Sequence, residues 1–404
     1  MANGSGNDDA RARQMAALAR YSGPKQIYST TVTLTQAGGL VQVDVPGYIN
    51  LELPAECIEV VLRFRDVIAA ANMTVAAAES PMTIFQNARL YGNHRRWGAK
   101  DPYNISGATA FIFHQLFQYV GATAIFGGSV AAGVYLPPRS MPYGQALATF
   151  GNTGTYDVEL HLPLVAGLLV GGVDQASEIL NKLPYLWRRE DWGDSLKLRI
   201  LLGDSTSFGT NAGGTTHTFT GFGSAAGLPS IDFNVNYAML GDYRNVGARG
   251  LILRAEQSVT TLVTAANAQR VLLLDKNITS NVLVKSGTIL AGSTPGVSVF
   301  AALSDAQLTT TRVLMALDPV RDIANNYAGK AYYMRKMNAY HPQGYYLISF
   351  TEGGNMLNAF RADLPKYAGA TFELNSNVAT AGATQAVNVV QEQILSEGLF
   401  PANG

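Results

Sequence analysis

From Lys25 onward the chain is divided into short runs whose apolar residues alternate at period two, each closed by glycine, asparagine or threonine. Successive side chains of a strand face opposite ways, so this spacing calls for half-buried β-strands. Val41, Val43 and Val45 keep the period, as do Val60, Leu62 and Phe64. Val158, Leu160 and Leu162 keep it again up to Pro163, which reads as the end of that strand. Further strands are expected over 27–34, 84–91, 196–201 and 231–237. A second series follows over 251–253, 259–263, 271–274, 282–284, 297–302 and 312–317, with a last strand over 387–394. The polar stretch from Asp242 to Arg249 separates the two series.

Helical spacing is confined to a few insertions. Asp8 or Asp9 can cap a helix over 10–21, closed by Ser22-Gly23-Pro24. Shorter helices are expected over 109–119 and 173–183. The longest begins at Asp318-Pro319, where Asp suits the cap and Pro the first helical position. It continues for about twenty residues through Ile323, Tyr327, Met334 and Met337. His341-Pro342-Gln343-Gly344 breaks it, and Tyr345 to Phe350 follow as a strand. The uncharged run from Gln115 to Pro138 is long enough to span a bilayer. Its glycines and Pro137-Pro138 make it strand, loop and strand instead. The expected organisation is an N-terminal arm and helix over 1–24, one β block over 25–244, a second over 245–397 and a tail over 398–404. Two tandem eight-stranded sandwiches, or jelly rolls, fit the number and lengths of the strands.

Charge is scarce. Asp, Glu, Lys and Arg make up 14% of the chain, against about 25% in an ordinary globular protein. Interface centres are depleted in charge, so sides covered by further copies of the chain are one reading and a neutral, loop-rich β surface is the other. The formal net charge is zero, so no overall basic field draws nucleic acid. Cys57, the one cysteine, lies in an apolar strand with Ile58, Val60 and Leu62 and reads as an inert buried thiol.

Chemistry-bearing patterns are sparse too. His94, His114, His161, His217 and His341 form no metal-ligand spacing. No nucleophile elbow or phosphate-binding loop is present, and no cofactor is expected. Asp157, Glu159 and His161 share a strand face, where paired surface roles are the default. Two clusters mix arginine with tryptophan: Arg95-Arg96-Trp97, and Trp187-Arg188-Arg189 followed by Trp192. Such residues dominate protein–protein hot spots, and they also stack on bases or glycans. Three functional readings therefore stand: a structural subunit that works by self-association, a carbohydrate-binding or carbohydrate-active β-sandwich, and a secreted or surface-layer protein. The second needs a pair of carboxylates flanking a cleft, and Asp157 with Glu159 is the pair on offer.

In order and kind of element the chain resembles the double jelly-roll major capsid proteins of tailless icosahedral viruses with an internal membrane, the tectivirus type. The segments that carry the resemblance are the helix over 8–21, the strand, turn and helix from Ala88 through Trp97 to Phe117, the Leu160-His161-Leu162-Pro163-Leu164 step, and Asp318-Pro319 through Tyr346. The resemblance implies a non-enzymatic virion protein of a bacteriophage, made in the host cytoplasm. Homotrimers with a pseudo-hexagonal outline would tile an icosahedral capsid around an internal membrane and a double-stranded DNA genome, with minor capsid and vertex proteins as further partners and no sequence-specific contact to nucleic acid. Arg11, Arg13, Met15, Leu18 and Arg20 would then face the viral membrane. Arg95, Arg96, Trp97, Trp187, Arg188, Arg189 and Trp192 would make subunit contacts.

Overall fold

A computed structural model describes residues 24–34, 39–69, 74–75, 82–116, 123–130, 134–141, 154–168, 183–205, 209–210, 217–222, 227–238, 249–262, 268–273, 278–289, 300–302, 308–315, 318–324, 345–349, 371–376 and 384–397. In chain order the first half runs β1 (Lys25–Thr31), β2 (Val41–Asp44), β3 (Ala55–Ile68), β4 (Thr74–Val75), β5 (Phe85–His94), β6 (Gly98–Ile105), helix α1 (Gly107–Leu116), β7 (Thr123–Val130), β8 (Val134–Met141) and β9 (Gly154–Val165). It continues with the one-turn helix α2 (Arg189–Trp192), β10 (Lys197–Leu202), β11 (Gly209–Thr210), β12 (His217–Thr220) and β13 (Ser230–Tyr237). The second half runs β14 (Arg249–Leu262), β15 (Ala268–Leu273), β16 (Ile278–Ile289), β17 (Phe300–Ala302), β18 (Leu308–Met315), β19 (Asp318–Ala324), β20 (Tyr345–Ser349), β21 (Thr371–Ser376) and β22 (Thr384–Glu397).

Pairing sorts these strands into one plan used twice. The eight principal strands of the first half are β1, β2, β3, β5, β6, β9, β10 and β13. They pair as β1-β13-β3-β9 and as β2-β10-β5-β6. Counted along the half, those rows are first, eighth, third, sixth and second, seventh, fourth, fifth. In the second half the rows are β14-β22-β16-β20 and β15-β21-β18-β19, which is the same permutation. Each set of eight is a jelly roll of two facing four-stranded sheets. β7 and β8 extend the first sheet beyond β9, and β12 pairs with the far end of β3. At the boundary β14 runs parallel to β6, with Arg254 opposite Tyr103 and Ala255 opposite Asn104. One roll's sheet therefore continues directly into the other's.

Inward positions follow the alternation. Val60, Leu62 and Phe64 on β3, Val158, Leu160 and Leu162 on β9, and Ile231, Phe233 and Val235 on β13 are all fully buried. They meet Ala88, Leu90, Leu198 and Ile200 of the facing sheet in one core. At about 25 cal/mol per Å² of apolar surface this burial is the main driving force of the fold. Cys57 is buried as well.

Several expectations are corrected. Asp318-Pro319 opens the strand β19, not a helix, and β19 pairs with β18 through Ala324. It is the edge strand of its sheet, where the missing N–H of a proline breaks no ladder on the open side. The rest of the expected helix, 325–341, lies outside the described residues. Pro163 does not end β9, which runs on to Val165 with Pro163 opposite Glu59. β7 begins at Thr123 opposite His161, so beyond that point β3 alone flanks the strand among the described residues. The runs at 251–253 and 259–263 are one continuous 14-residue strand. α1 appears two residues earlier than expected. The uncharged run at 115–138 includes β7 and most of β8, antiparallel partners. No helix among the described residues is long and apolar enough to cross a membrane. The helix expected over 10–21 lies outside the described residues, as does the one expected over 173–183 up to residue 182.

Candidate functional site

The two arginine–tryptophan clusters, far apart in sequence, form one patch. The turn between β5 and β6 carries Arg95, Arg96 and Trp97, and α2 packs beside it. The Arg95 N–H donates to the Asp191 carbonyl at 2.7 Å. His94 joins the halves: its ring lies 4.4 Å from that of Trp97 and meets Trp192 edge-on at 4.9 Å. Trp187, Arg188 and Trp192 are only 1%, 2% and 2% exposed, so their side chains are spent inside the chain and hold the patch in place. Arg95, Arg96 and Arg189 are exposed and Trp97 is half-buried, with the Arg96 guanidinium 5.9 Å from its ring centre. The residues for membrane contact, Arg11, Arg13, Met15, Leu18 and Arg20, lie outside the described residues.

A second polar surface covers the outer face of β1, β13, β3 and β9. Arg65 pairs with Asp157 at 2.9 Å. Arg63 bridges Glu159, at 2.8 Å, and Asp232. Ser29 and Gln26 donate to Asp232 from β1. The two ring nitrogens of His161 lie 2.9 Å from Glu59 and 2.6 Å from Glu159. Carboxylates only accept, so both contacts are hydrogen bonds together when the ring carries both protons, as an imidazolium. Burial pushes the Glu159 carboxyl up, yet Arg63 and His161 outweigh it and hold the group below its usual range. A glycosidase acid needs the opposite, a raised carboxyl facing a cleft. Asp157 and Glu159 are thus committed to ion pairs. The remaining described histidines lie apart. His217 faces Asp66 at 2.8 Å with both side chains fully buried, and His114 is buried on α1. Among the described residues no group of three His, Cys, Asp or Glu side chains is placed to hold a metal ion.

No protein-family model matches the sequence, and no curated protein matches it. Solved structures do. The atomic structure of Sulfolobus turreted icosahedral virus matches with 12% identity over 92% of this chain and 91% of that one, at a TM-score of 0.50. The quasi-atomic model of the PBCV-1 virus capsid matches with 12% identity over 93% of this chain and 94% of that one, also at 0.50. The major capsid protein P2 of bacteriophage PM2 is aligned over 93% of this chain and all of its own, with 10% identity and a TM-score of 0.44. The first two, at 0.50, support the fold read from the strand pairing. The chain has the double jelly-roll fold.

Within the double jelly roll, the place where the two rolls meet is polar, and sequence reasoning missed it. Arg254 of β14 and Glu392 of β22 are opposite one another and fully buried. The Arg254 Nε donates to Glu392 at 2.8 Å, and Nη2 lies 2.6 Å from the same carboxylate. The other guanidinium donors reach into the first roll: Nη1 to the Tyr103 hydroxyl at 2.9 Å and the Val165 carbonyl at 2.6 Å, and Nη2 to the Gly167 carbonyl at 2.5 Å. Glu392 also accepts from Ser280 and Asn281, at 2.6 and 2.7 Å. Two residues along β14, Glu256 accepts from the Ser106 N–H at 2.7 Å and the Thr109 hydroxyl at 3.1 Å, at the start of α1. A carboxylate there satisfies first-turn donors and suits the helix dipole. Burial pushes His114 down to about 3, with Arg254 adding to the shift, so His114 stays neutral. Burial also holds the Tyr103 phenol above its usual range. The one signal in the sequence was the polar Arg254-Ala255-Glu256 step between the two runs expected as separate strands.

Proposed function

We propose that the chain is a viral major capsid protein that works by self-association. The observation that carries this is one eight-strand permutation used twice, matched along nearly the whole chain by virus capsid structures at a TM-score of 0.50. Two similar rolls per chain give a homotrimer six roll-shaped corners, hence a pseudo-hexagonal outline able to tile an icosahedral shell. Cyclic closure is the ordinary way for copies to assemble, and stable interfaces bury on the order of 1,600 Å². Arg95, Arg96, Trp97 and Arg189, the accessible part of the arginine–tryptophan patch, are our candidates for subunit contacts, with Trp187, Arg188 and Trp192 supporting them from within. Each roll, 25–244 and 245–397, acts as one domain. The arm over 1–24 faces an internal viral membrane, where Arg11, Arg13 and Arg20 each contribute roughly 1 kcal/mol near anionic lipid beside Met15 and Leu18. The shell encloses a double-stranded DNA genome of a bacteriophage, minor capsid and vertex proteins complete it, and synthesis is in the host cytoplasm.

Light scattering behind a sizing column, on the full chain at moderate salt, tests the reading. A stable trimer is expected, with hexagonal outlines by electron microscopy. A chain that stays monomeric on concentration overturns it.

A further inference from the structure

We propose that Arg254 is a positioning residue that, with Glu392 and Glu256, locks the orientation of one roll against the other. Among the described residues, backbone pairing between the rolls spans two residue pairs, Arg254 with Tyr103 and Ala255 with Asn104. So short a ladder leaves the angle between the rolls weakly determined, and apolar contact is non-directional and tolerates sliding. A guanidinium does not: it is planar, and its five N–H donors point in fixed directions. Here those donors meet acceptors on both sides at once, Glu392 in the second roll and Tyr103, Val165 and Gly167 in the first. Any rotation or slip between the rolls strips acceptors from a fully buried cation. Glu256 adds a second fixed point on the same face of β14, at the first turn of α1. Two anchored points two residues apart define a direction as well as a position. Gly250, further back on β14, has the Tyr185 ring of the first roll against its Cα with no room for a side chain.

Energetics point the same way. A buried ion pair is often no more stabilising than apolar residues of similar volume, and its best-attested use is to specify register. The pair therefore sets geometry more than stability. Its purpose, a fixed angle between the two rolls of each capsomer subunit, rests on the capsid reading, but the lock itself does not.

Two full-length variants test it, R254M/E392L and R254K. The first replaces the pair with apolar residues of similar volume. The second keeps the charge and loses the fork. Small-angle X-ray scattering of the unassembled chain reads the angle between the rolls, and thermal unfolding reports whether each variant folds. We expect cooperative unfolding, loss of the single rigid arrangement that fits the parent's scattering curve, and loss of ordered arrays by microscopy. Folded variants that scatter and assemble as the parent does would overturn the proposal. If R254M/E392L does not fold, R254K decides alone by the same readout. A parent chain that never assembles sinks the capsid reading, while the scattering comparison still decides the lock.

Discussion

Arg254 and His161 show how differently a charge behaves inside and on the face of this molecule. Replacing Arg254 with Ala leaves the fully buried Glu392 carboxyl without its cation, beside Ser280 and Asn281. That loss should be about 3–5 kcal/mol, read as a lower midpoint in a urea titration; a shift equivalent to under about 1 kcal/mol would mean that water reaches the site. His161 is half-buried. Burial alone would lower its pKa, but Glu59 and Glu159 outweigh burial and raise it. A raised folded-state pKa means a stabilisation fully present below the unfolded value, about 6.5, and lost as pH rises through the folded value. Glu159 runs the other way: its lowered pKa gives a contribution present above the unfolded carboxyl value and lost as pH falls through the folded one. His161→Gln should therefore flatten the fall in stability as pH rises above about 6.5 while leaving the acid limb largely in place. Urea midpoints across pH test this, and an unchanged alkaline limb would show that the imidazolium contributes nothing.

At the scale of elements, α1 shows steric fit overriding propensity. Gly107 is its first residue, and a Cβ there would collide with the Phe85 Cβ, the anchored stem of a core side chain rather than a movable end. Alanine would favour the helix by up to about 1 kcal/mol at an interior position and less at a first turn. Overpacking costs typically 1–3 kcal/mol, so Gly107→Ala should destabilise on balance, seen as a lower thermal midpoint with the strand signal intact. A gain in stability would show that β5 can shift. β19 teaches a related lesson about signals. Asp-Pro suits a helix start and an edge strand equally well, and only the neighbour β18 decides. Pro163 was misjudged for the same reason, since whether a proline ends a strand depends on which side of the strand is occupied.

For the whole molecule the junction makes a thermodynamic claim. The rolls share a sheet through β6 and β14 and share the acceptors of Arg254, so neither satisfies its buried polar groups alone. One calorimetric transition is expected, with equal calorimetric and van't Hoff enthalpies; two separated transitions would show that the junction is weak. Much of this architecture was legible in the amino-acid order. Period two at 41–45, 60–64 and 158–162 identified strands and their buried faces because alternation is a local consequence of backbone geometry, and the recurrence of the pattern on both sides of 242–249 revealed two blocks. The accessible part of the arginine–tryptophan patch was also visible as residue types, though not its division into surface and core. What tertiary structure alone decided is which strands are neighbours, and with them the joining of β6 to β14, the burial of Trp187 and Trp192, and the role of Arg254. An arginine between apolar runs looks like surface until acceptors 87 to 151 residues away by chain close around it. Burial of a charge is a property of its partners, and those partners are distant in sequence.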